Sequence, residues 1–372
     1  MKKNMARKLK KILIVAPVYP SADDPGRGVF IKNFAIELEK QAIEVKVLAI
    51  RKSVFRFKDH KSQNLFEIHF LPTLIPKLFG RFIFAINKIY LLLNLKSFNN
   101  FRPDLIYSHF LIGAIYGDLI SNKLNVPHYI GIGEDVSYLK SLKDNLFGKS
   151  FFKKTLENSQ LIISVSPSNM MILHDFFSIS NSKLKLLTNA INLNLFKPFE
   201  KDKINWKKNK NFSNQFVISF IGDFNDRKGV FRLLKAVENL NDIKLILIGK
   251  GEFINNEKIC FQGPLIQKEV VKWLNRSDLF VLPTLAEGWC NALNEAIACG
   301  IPIATSNIPS VKDQMEGVIY EKFDPQNINE IKEAIIKVKN DINHRKLMSD
   351  SCIAKSSDLS IENRTKKFID FY

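Results

Sequence analysis

Cysteine is scarce in this sequence: four in 372 residues, Cys260, Cys290, Cys299 and Cys352, all in the second half and none in a CxxC pair. That spacing argues against a disulfide framework and a structural zinc site, and fits a reducing compartment. With 16 glycines and 14 prolines, neither repeated at a fixed period, the chain is not collagen-like or of low complexity. No run of 18 uncharged apolar residues occurs, so no segment is expected to span a bilayer. The basic opening, residues 1–11, is followed by a short apolar run, 12–18, that ends at Pro17 and Pro20. That reads as a first buried strand, because a signal peptide needs a longer apolar core and a small-residue cleavage site. DxD, GxSxG, HExxH and the P-loop pattern are all missing, so a metal-bridged diphosphate site has no obvious ligands.

What the sequence does contain is apolar residues and positive charge. Hydrophobic residues make up 46% of the chain, enough at this length for two ordinary cores rather than one. The formal net charge is +18. It is uneven: residues 1–200 carry 29 basic and 15 acidic side chains, so most of the excess lies in the first half. Such a half attracts a polyanion: a nucleic acid, an anionic leaflet or a phosphorylated substrate. A Lys-, Asn- and Ile-rich composition accounts for part of the same excess.

Short β-branched runs alternate with helical patterns. Strands are expected at 11–16, 45–50, 105–108, 128–131 and 161–165. A second series follows at 216–221, 244–248, 279–282 and 302–305. This alternation predicts an α/β class with two doubly wound parallel sheets. The Lys- and Asn-rich segment 200–214 lacks periodicity and reads as a linker. The expected domains are 1–199 and 215–355, with a terminal helix in 356–372 expected to pack back toward the first. Ligands of such sheets bind beyond the carboxyl ends of the strands.

Three strand ends carry chemistry. After the strand at 279–282 comes Glu287-Gly288-Trp289-Cys290-Asn291-Ala292-Leu293-Asn294-Glu295, running into a helix. The backbone amides of residues 288–292 are expected to lack helical partners and to face whatever sits at the helix start. Carboxylates there would accept bonds from polyol hydroxyls; solvated helix charges are the plainer reading of such a pair. After the strand at 216–221, Gly222 precedes Arg227, Lys228 and Gly229, two cations at a helix start that fit a diphosphate. Gly249 and Gly251 form a lone GxG, which carries little weight. In the first half, Gly26-Arg27-Gly28 opens the first helix, His109 ends a strand, and Glu134-Asp135 follows another. A plain turn and a packing histidine are the simpler alternatives.

These residues resemble the retaining glycosyltransferases of the two-Rossmann GT-B fold, in the large group called family 4. The resemblance covers nearly the whole chain. Glu287 through Glu295, continued by Ala296-Ile-Ala-Cys-Gly300-Ile-Pro302, matches the E-x7-E signature. Gly222 with Lys228 and Gly229 matches the phosphate turn, and the stretch 188–198 resembles NGVDxxxFxP. The resemblance implies that Glu295 binds the donor ribose and Glu287 the transferred sugar. Lys228 and the amides near Trp289, Cys290, Asn291 and Ala292 would hold the diphosphate. The loop of Gly26, Arg27 and Gly28 would close on the leaving group, and His109 and Asp135 would lie on the acceptor side. No metal is expected. Two departures stand out. Asp223 occupies the position of the family's arginine, with Arg227 the candidate to replace its charge. Ile132 stands where a histidine is usual, which makes Glu134 the candidate in its place.

The reaction so implied moves a sugar from a nucleotide-diphosphate sugar to a hydroxyl, with a glycan or lipid-linked glycan of the cell envelope as the expected acceptor. Residues 71–101 are apolar with cations interspersed (Lys77, Arg81, Lys88, Lys96). Leu78, Phe82, Ile86, Ile89, Leu92 and Leu93 fall at roughly helical spacing. This is either a core helix or an interfacial one on an anionic membrane. The expected location is cytoplasmic, or peripheral on the inner face of the plasma membrane. The alternatives are another GT-B enzyme such as a sugar-nucleotide epimerase, and an inactive homologue. A nucleic-acid partner is not expected: it would explain the charge, but such a protein would want interleaved aromatics on a basic face and no E-x7-E.

Overall fold

A computed structural model describes residues 8–21, 24–52, 55–60, 64–70, 77–95, 101–142, 146–210 and 212–372. The chain forms two compact units, 1–188 joined by 362–372, and 189–361. Each is an α/β domain.

The first unit is built on eight strands: β1 (Lys11–Ala16), β2 (Glu44–Lys52), β3 (Arg56–His60), β4 (Leu65–Phe70), β5 (Leu105–His109), β6 (His128–Ile132), β7 (Leu161–Ser164) and β8 (Leu184–Leu186). Their order is β3-β4-β2-β1-β5-β6-β7-β8, parallel except for β3 against β4. Residues Ile12 to Ala16 of β1 and all of β5, β6 and β7 are buried, as continuous apolar runs must be when helices cover both faces. The sequence does not announce β3, β4 or β8, because polar residues interrupt all three and β8 is only three residues long.

The second unit has six strands: β9 (Phe216–Ile221), β10 (Ile243–Ile248), β11 (Ile259–Gly263), β12 (Leu279–Leu282), β13 (Ile303–Ser306) and β14 (Glu321–Phe323). All are parallel, in the order β11-β10-β9-β12-β13-β14. The order reverses between β9 and β12, so the loops leaving these two neighbours diverge and open a crevice at their carboxyl ends.

Residues 200–214 are not a linker. They contain the helix Glu200–Asn209, which belongs to the second unit. Trp206 is buried there, with its ring edge-on to Phe212 at 5.6 Å and to Trp273 at 5.7 Å. The chain passes from one unit to the other at 188/189 instead. It returns at 361/362, where Ile191 donates to the Leu359 carbonyl and receives from the Ile361 amide.

The terminal helix Ile361–Ile369 supplies Phe368 to the first core, 5.0 Å from Phe34 and 4.7 Å from Tyr107 between ring centroids. Arg364 Nε donates to the Thr188 carbonyl at 3.0 Å, and Tyr129 Oη donates to that of Phe371 at 2.7 Å.

Within 71–101 the structure shows one helix, Lys77–Asn94. Residues 71–76 and Lys96 lie outside the described residues, and Lys77, Leu78, Arg81 and Phe82 outside the described side chains. Over the remainder Leu91 and Leu95 face the core, while Ile89 and Leu93 are exposed. Among the described residues no helix is long and apolar enough to cross a membrane.

Candidate active site

In the second unit the site grows from two glycines. Gly229 has φ 84°, a left-handed conformation that an L side chain resists, and it caps the helix Val230–Val237. A Cβ placed there would lie 2.0 Å from the Pro283 carbonyl oxygen. The loop after β9 and the loop after β12 therefore touch at this point. Further bonds tie them: the Leu285 amide and the Thr284 hydroxyl donate to the Arg227 carbonyl at 2.8 and 3.2 Å. Gly222 has no side chain, and the aliphatic stem of Lys228 occupies that space; an added Cβ would meet the stem at 3.2 Å.

The stem so placed carries the ammonium to Glu287. Lys228 Nζ donates to Glu287 Oε1 at 2.6 Å, Thr284 Oγ1 donates to the same oxygen at 2.7 Å, and Arg227 Nη1 stands 3.8 Å away. Arg227 also donates to the Ala286 carbonyl at 2.8 Å. Burial works against the charge on Lys228, but the Glu287 carboxylate outweighs it and holds the ammonium's pKa above its ordinary value. A largely desolvated Lys228–Glu287 pair, with the exposed Arg227 beside it, thus sits at the reversal point of the sheet.

The helix Asn291–Ala298 starts beside them, with Cys290 as its N-cap residue and no side-chain cap bond. The expectation of five free amides at 288–292 needs correction. The Cys290 amide is taken, donating to Gln314 Oε1 at 2.9 Å. Burial pushes the Cys290 thiol up to about 11, and Glu287 adds to the rise against Lys228 and the amides of Leu293 and Ala292. A neutral thiol is a weak acceptor, so those amides keep most of their capacity for an anion. On either side of Cys290, Trp289 Nε1 and Asn291 Oδ1 are buried and have no hydrogen-bond partner among the described residues. Glu295, on the same helix, is raised to about 8 by burial, against a bond from the Gln267 side chain. Beyond the ends of β9, β10 and β11 lies a cavity of about 400 Å³, lined by Phe224, Gly249, Gly251, Phe253 and Gly263 among others. The lone GxG thus forms part of its wall.

The first unit presents a different set. Gly28, with φ 69°, caps the helix Val29–Lys40, and a Cβ there would come within 2.5 Å of the Val18 carbonyl oxygen; Gly26 and Arg27 are exposed. The loop they belong to is anchored by Arg51, which donates to the carbonyls of Tyr19 and Pro20 at 2.6 and 3.0 Å. The sequence reading missed Arg51, since nothing local marks it. His109 is the N-cap residue of the helix Phe110–Leu124 and is buried among Tyr107, Phe30 and Phe110. Burial, with the charge of Arg364 adding to it, drives its pKa down to about 3, so the imidazole is neutral; its Nε2 has no partner among the described residues.

Glu134 caps the same helix, accepting from the Leu111 amide through Oε1 at 2.5 Å, while Oε2 is buried with no partner among the described residues. Burial raises it to about 7. Asp135 is occupied locally: it caps the helix Val136–Ser141, accepting from the Tyr138 amide at 2.8 Å and the Ser137 hydroxyl at 2.5 Å. Asn169, also missed by the sequence reading, donates to the Glu134 carbonyl at 2.9 Å. No group of three or more His, Cys, Asp or Glu side chains suited to a metal ion occurs among the described residues.

Comparison with known proteins agrees with this layout. The family model "Glycosyltransferase Family 4" matches residues 26–195, and "Glycosyl transferases group 1" matches residues 201–352. TuaC of Bacillus subtilis, named for teichuronic acid biosynthesis, is 24% identical over 89% of this chain and 90% of its own. An Escherichia coli UDP-Gal:α-D-GlcNAc-diphosphoundecaprenol α-1,3-galactosyltransferase is 25% identical over 73% of this chain and 75% of its own. Among solved structures, sucrose-phosphate synthase of Thermosynechococcus elongatus superimposes with a TM-score of 0.78 at 15% identity, over 98% of each chain. Anabaena HepE in complex with UDP-glucose gives 0.74 at 15% identity, over 98% of this chain and 99% of its own. With two family models that between them take in nearly all of it, and two parallel-sheet domains of the GT-B kind, the chain belongs to the group 1 glycosyltransferases of family 4.

Proposed function

We propose that the protein transfers a sugar, with retention of configuration, from a nucleotide-diphosphate sugar to a hydroxyl of a lipid-linked or cell-envelope glycan, without a metal ion. The observation that carries this reading is the buried Lys228–Glu287 pair at the point where the strand order reverses. A bound diphosphate takes Lys228 from Glu287, and Glu287 then turns its freed oxygen to the hydroxyls of the sugar. Glu295 accepts from the ribose, and the base enters the cavity walled by Gly249, Gly251 and Phe253. The relatives support the choice of substrates: one is named for a UDP-galactose donor and a diphosphoundecaprenol acceptor, another for teichuronic acid biosynthesis.

Charge develops on the departing diphosphate as the bond from C1 to its oxygen breaks. Lys228, Arg227 and the amides at the start of the helix Asn291–Ala298 oppose that charge where water is scarce. Same-face attack by the acceptor oxygen forms the new bond to C1, and the acceptor proton passes to the leaving phosphate oxygen. No side chain need act as nucleophile. In the first unit, Glu134 Oε2 and His109 Nε2 are the unpaired atoms offered to acceptor hydroxyls, and Asp135 acts by holding the neighbouring helix start. Gly26, Arg27 and Gly28 are the candidate leaving-group loop.

Thermal unfolding with UDP, GDP, ADP and CDP, each in EDTA and in Mg²⁺, tests the donor assignment. UDP is expected to raise the midpoint progressively with its concentration, with about 3 kcal/mol of linkage at a hundredfold excess over Kd, equally in both buffers. Indifference to all four diphosphates in both buffers would remove the donor site. NMR of the product anomeric proton then decides retention.

A further inference from the structure

We propose that Gln314 is a positioning residue of the donor site, acting through Cys290. It lies at the end of the short helix Pro309–Gln314, after β13, 24 residues from the loop it serves, and it touches none of the charged groups described above. Its side chain is buried and its amide is used at both ends. Oε1 accepts from the Cys290 backbone amide at 2.9 Å; Nε2 donates to the Cys290 carbonyl at 2.7 Å and to Asn294 Oδ1 at 2.7 Å. Asn294 in turn donates through Nδ2 to the Asn189 carbonyl at 3.0 Å, at the residue where the second unit begins.

A carboxamide bonded to both the N–H and the C=O of one residue fixes that residue's peptide planes, as a paired strand would. Cys290 is the hinge of the loop: before it come Glu287, Gly288 and Trp289, after it the free end of the helix. The two polar atoms left without partners, Trp289 Nε1 and Asn291 Oδ1, flank it on either side. Buried orphan polar atoms are rare, and each calls for a reason. Clamping the residue between them sets the direction in which both point. The amide of Cys290, which would otherwise meet the ligand, is spent on this clamp; the site gives up one donor and gains a fixed orientation for its neighbours. The reading rests on the donor assignment above, and the test separates the two.

UDP binding is measured by calorimetry and by the Trp289 emission change, in a Trp206→Phe/Trp273→Phe background, with Gln314→Met and Gln314→Glu compared to the parent. Methionine keeps the volume and removes every bond, and glutamate keeps one acceptor while losing both donations. Both are expected to raise the Kd for UDP by about 10–100-fold, the scale of an ångström-level misplacement, and to shift the emission of the unliganded protein. A residue with a merely structural role would lower the unfolding midpoint and leave the Kd of the folded protein unchanged, and that result overturns the proposal. If neither variant folds, hydrogen exchange on the parent decides: the Cys290 amide is expected to be protected without UDP, and exchange at the rate of an exposed loop overturns the clamp. Should the parent itself fail to bind UDP or any other nucleoside diphosphate, the donor assignment falls, independently of Gln314.

Discussion

The carboxyl edges of the two sheets are built on opposite electrostatic plans. In the second unit the buried Glu287 carboxylate is answered: Lys228, Arg227 and Thr284 converge on one of its oxygens. In the first unit two buried polar atoms at the edge, Glu134 Oε2 and His109 Nε2, lack partners among the described residues, and His109 is neutral. A buried ion pair that a ligand's charges can rearrange suits a diphosphate, whose own charge replaces the lost partner. Unpaired neutral acceptors and donors suit hydroxyls, which bring no charge but complete hydrogen bonds. The proposed split between donor and acceptor rests on this difference in how the two edges meet their own polar groups.

The largest effect is expected where the answered charge is broken. Lys228→Met leaves Glu287 buried with only Arg227, at 3.8 Å, to oppose it. About 3–5 kcal/mol of stability should go, together with roughly 10²–10³-fold in turnover. Adding Glu287→Gln should restore most of the stability and none of the turnover, which denaturant melts and a transfer assay would separate. Recovery of both in the double variant would mean that the pair serves folding alone, and the contrast between the edges would lose its functional meaning.

A smaller effect tests whether the edges are independent. Phe368 brings the last turns of the chain into the first core beside Phe34 and Tyr107. Truncation to alanine should cost that unit about 3–5 kcal/mol. UDP stabilisation of the second unit should persist, since Phe368 belongs to the first unit's core. Limited proteolysis followed by mass mapping, with and without UDP, reads the two units apart; loss of the UDP response would show that they do not fold separately.

The second unit's edge was the more legible in sequence for a physical reason. Its carboxylates and helix start lie in one contiguous stretch, Glu287 to Glu295, and Gly222 to Gly229 form one turn. The first unit's edge is assembled from the ends of three strands, so His109, Glu134 and Asn169 have no shared spacing to detect. Where the sequence misled, a partner distant in the chain was the cause. Gln314 fills an amide that the local pattern leaves open. The helix Glu200–Asn209 is anchored by the Trp206 indole and by Lys203 and Lys207, which pair with Asp278 at 2.7 and 2.5 Å. A polar helix held by one buried aromatic and two distant ion pairs has no apolar periodicity to show. Thr284 could have been found, as a hydroxyl at a strand end three residues before Glu287.

The smallest expected effect sharpens the comparison most directly, because it isolates one unanswered group. Burial raises Glu134 to about 7 from an ordinary 4.5. Between those values the folded chain keeps a proton that the unfolded chain has lost. The contribution to stability is therefore complete below the ordinary pKa and is lost as pH rises through 7. Glutamine has no proton to lose, and its oxygen can still accept from the Leu111 amide. Glu134→Gln should match the parent near pH 5 and exceed it near pH 8 by about 1–3 kcal/mol. The titration of His109 does not disturb this reading, since it is common to both proteins and cancels in the difference. Urea melts across pH 5–8 would show the gap opening. A gap of constant size would mean that the carboxyl is solvated in the folded protein, and the first unit's edge would then have no unanswered acid to offer an acceptor.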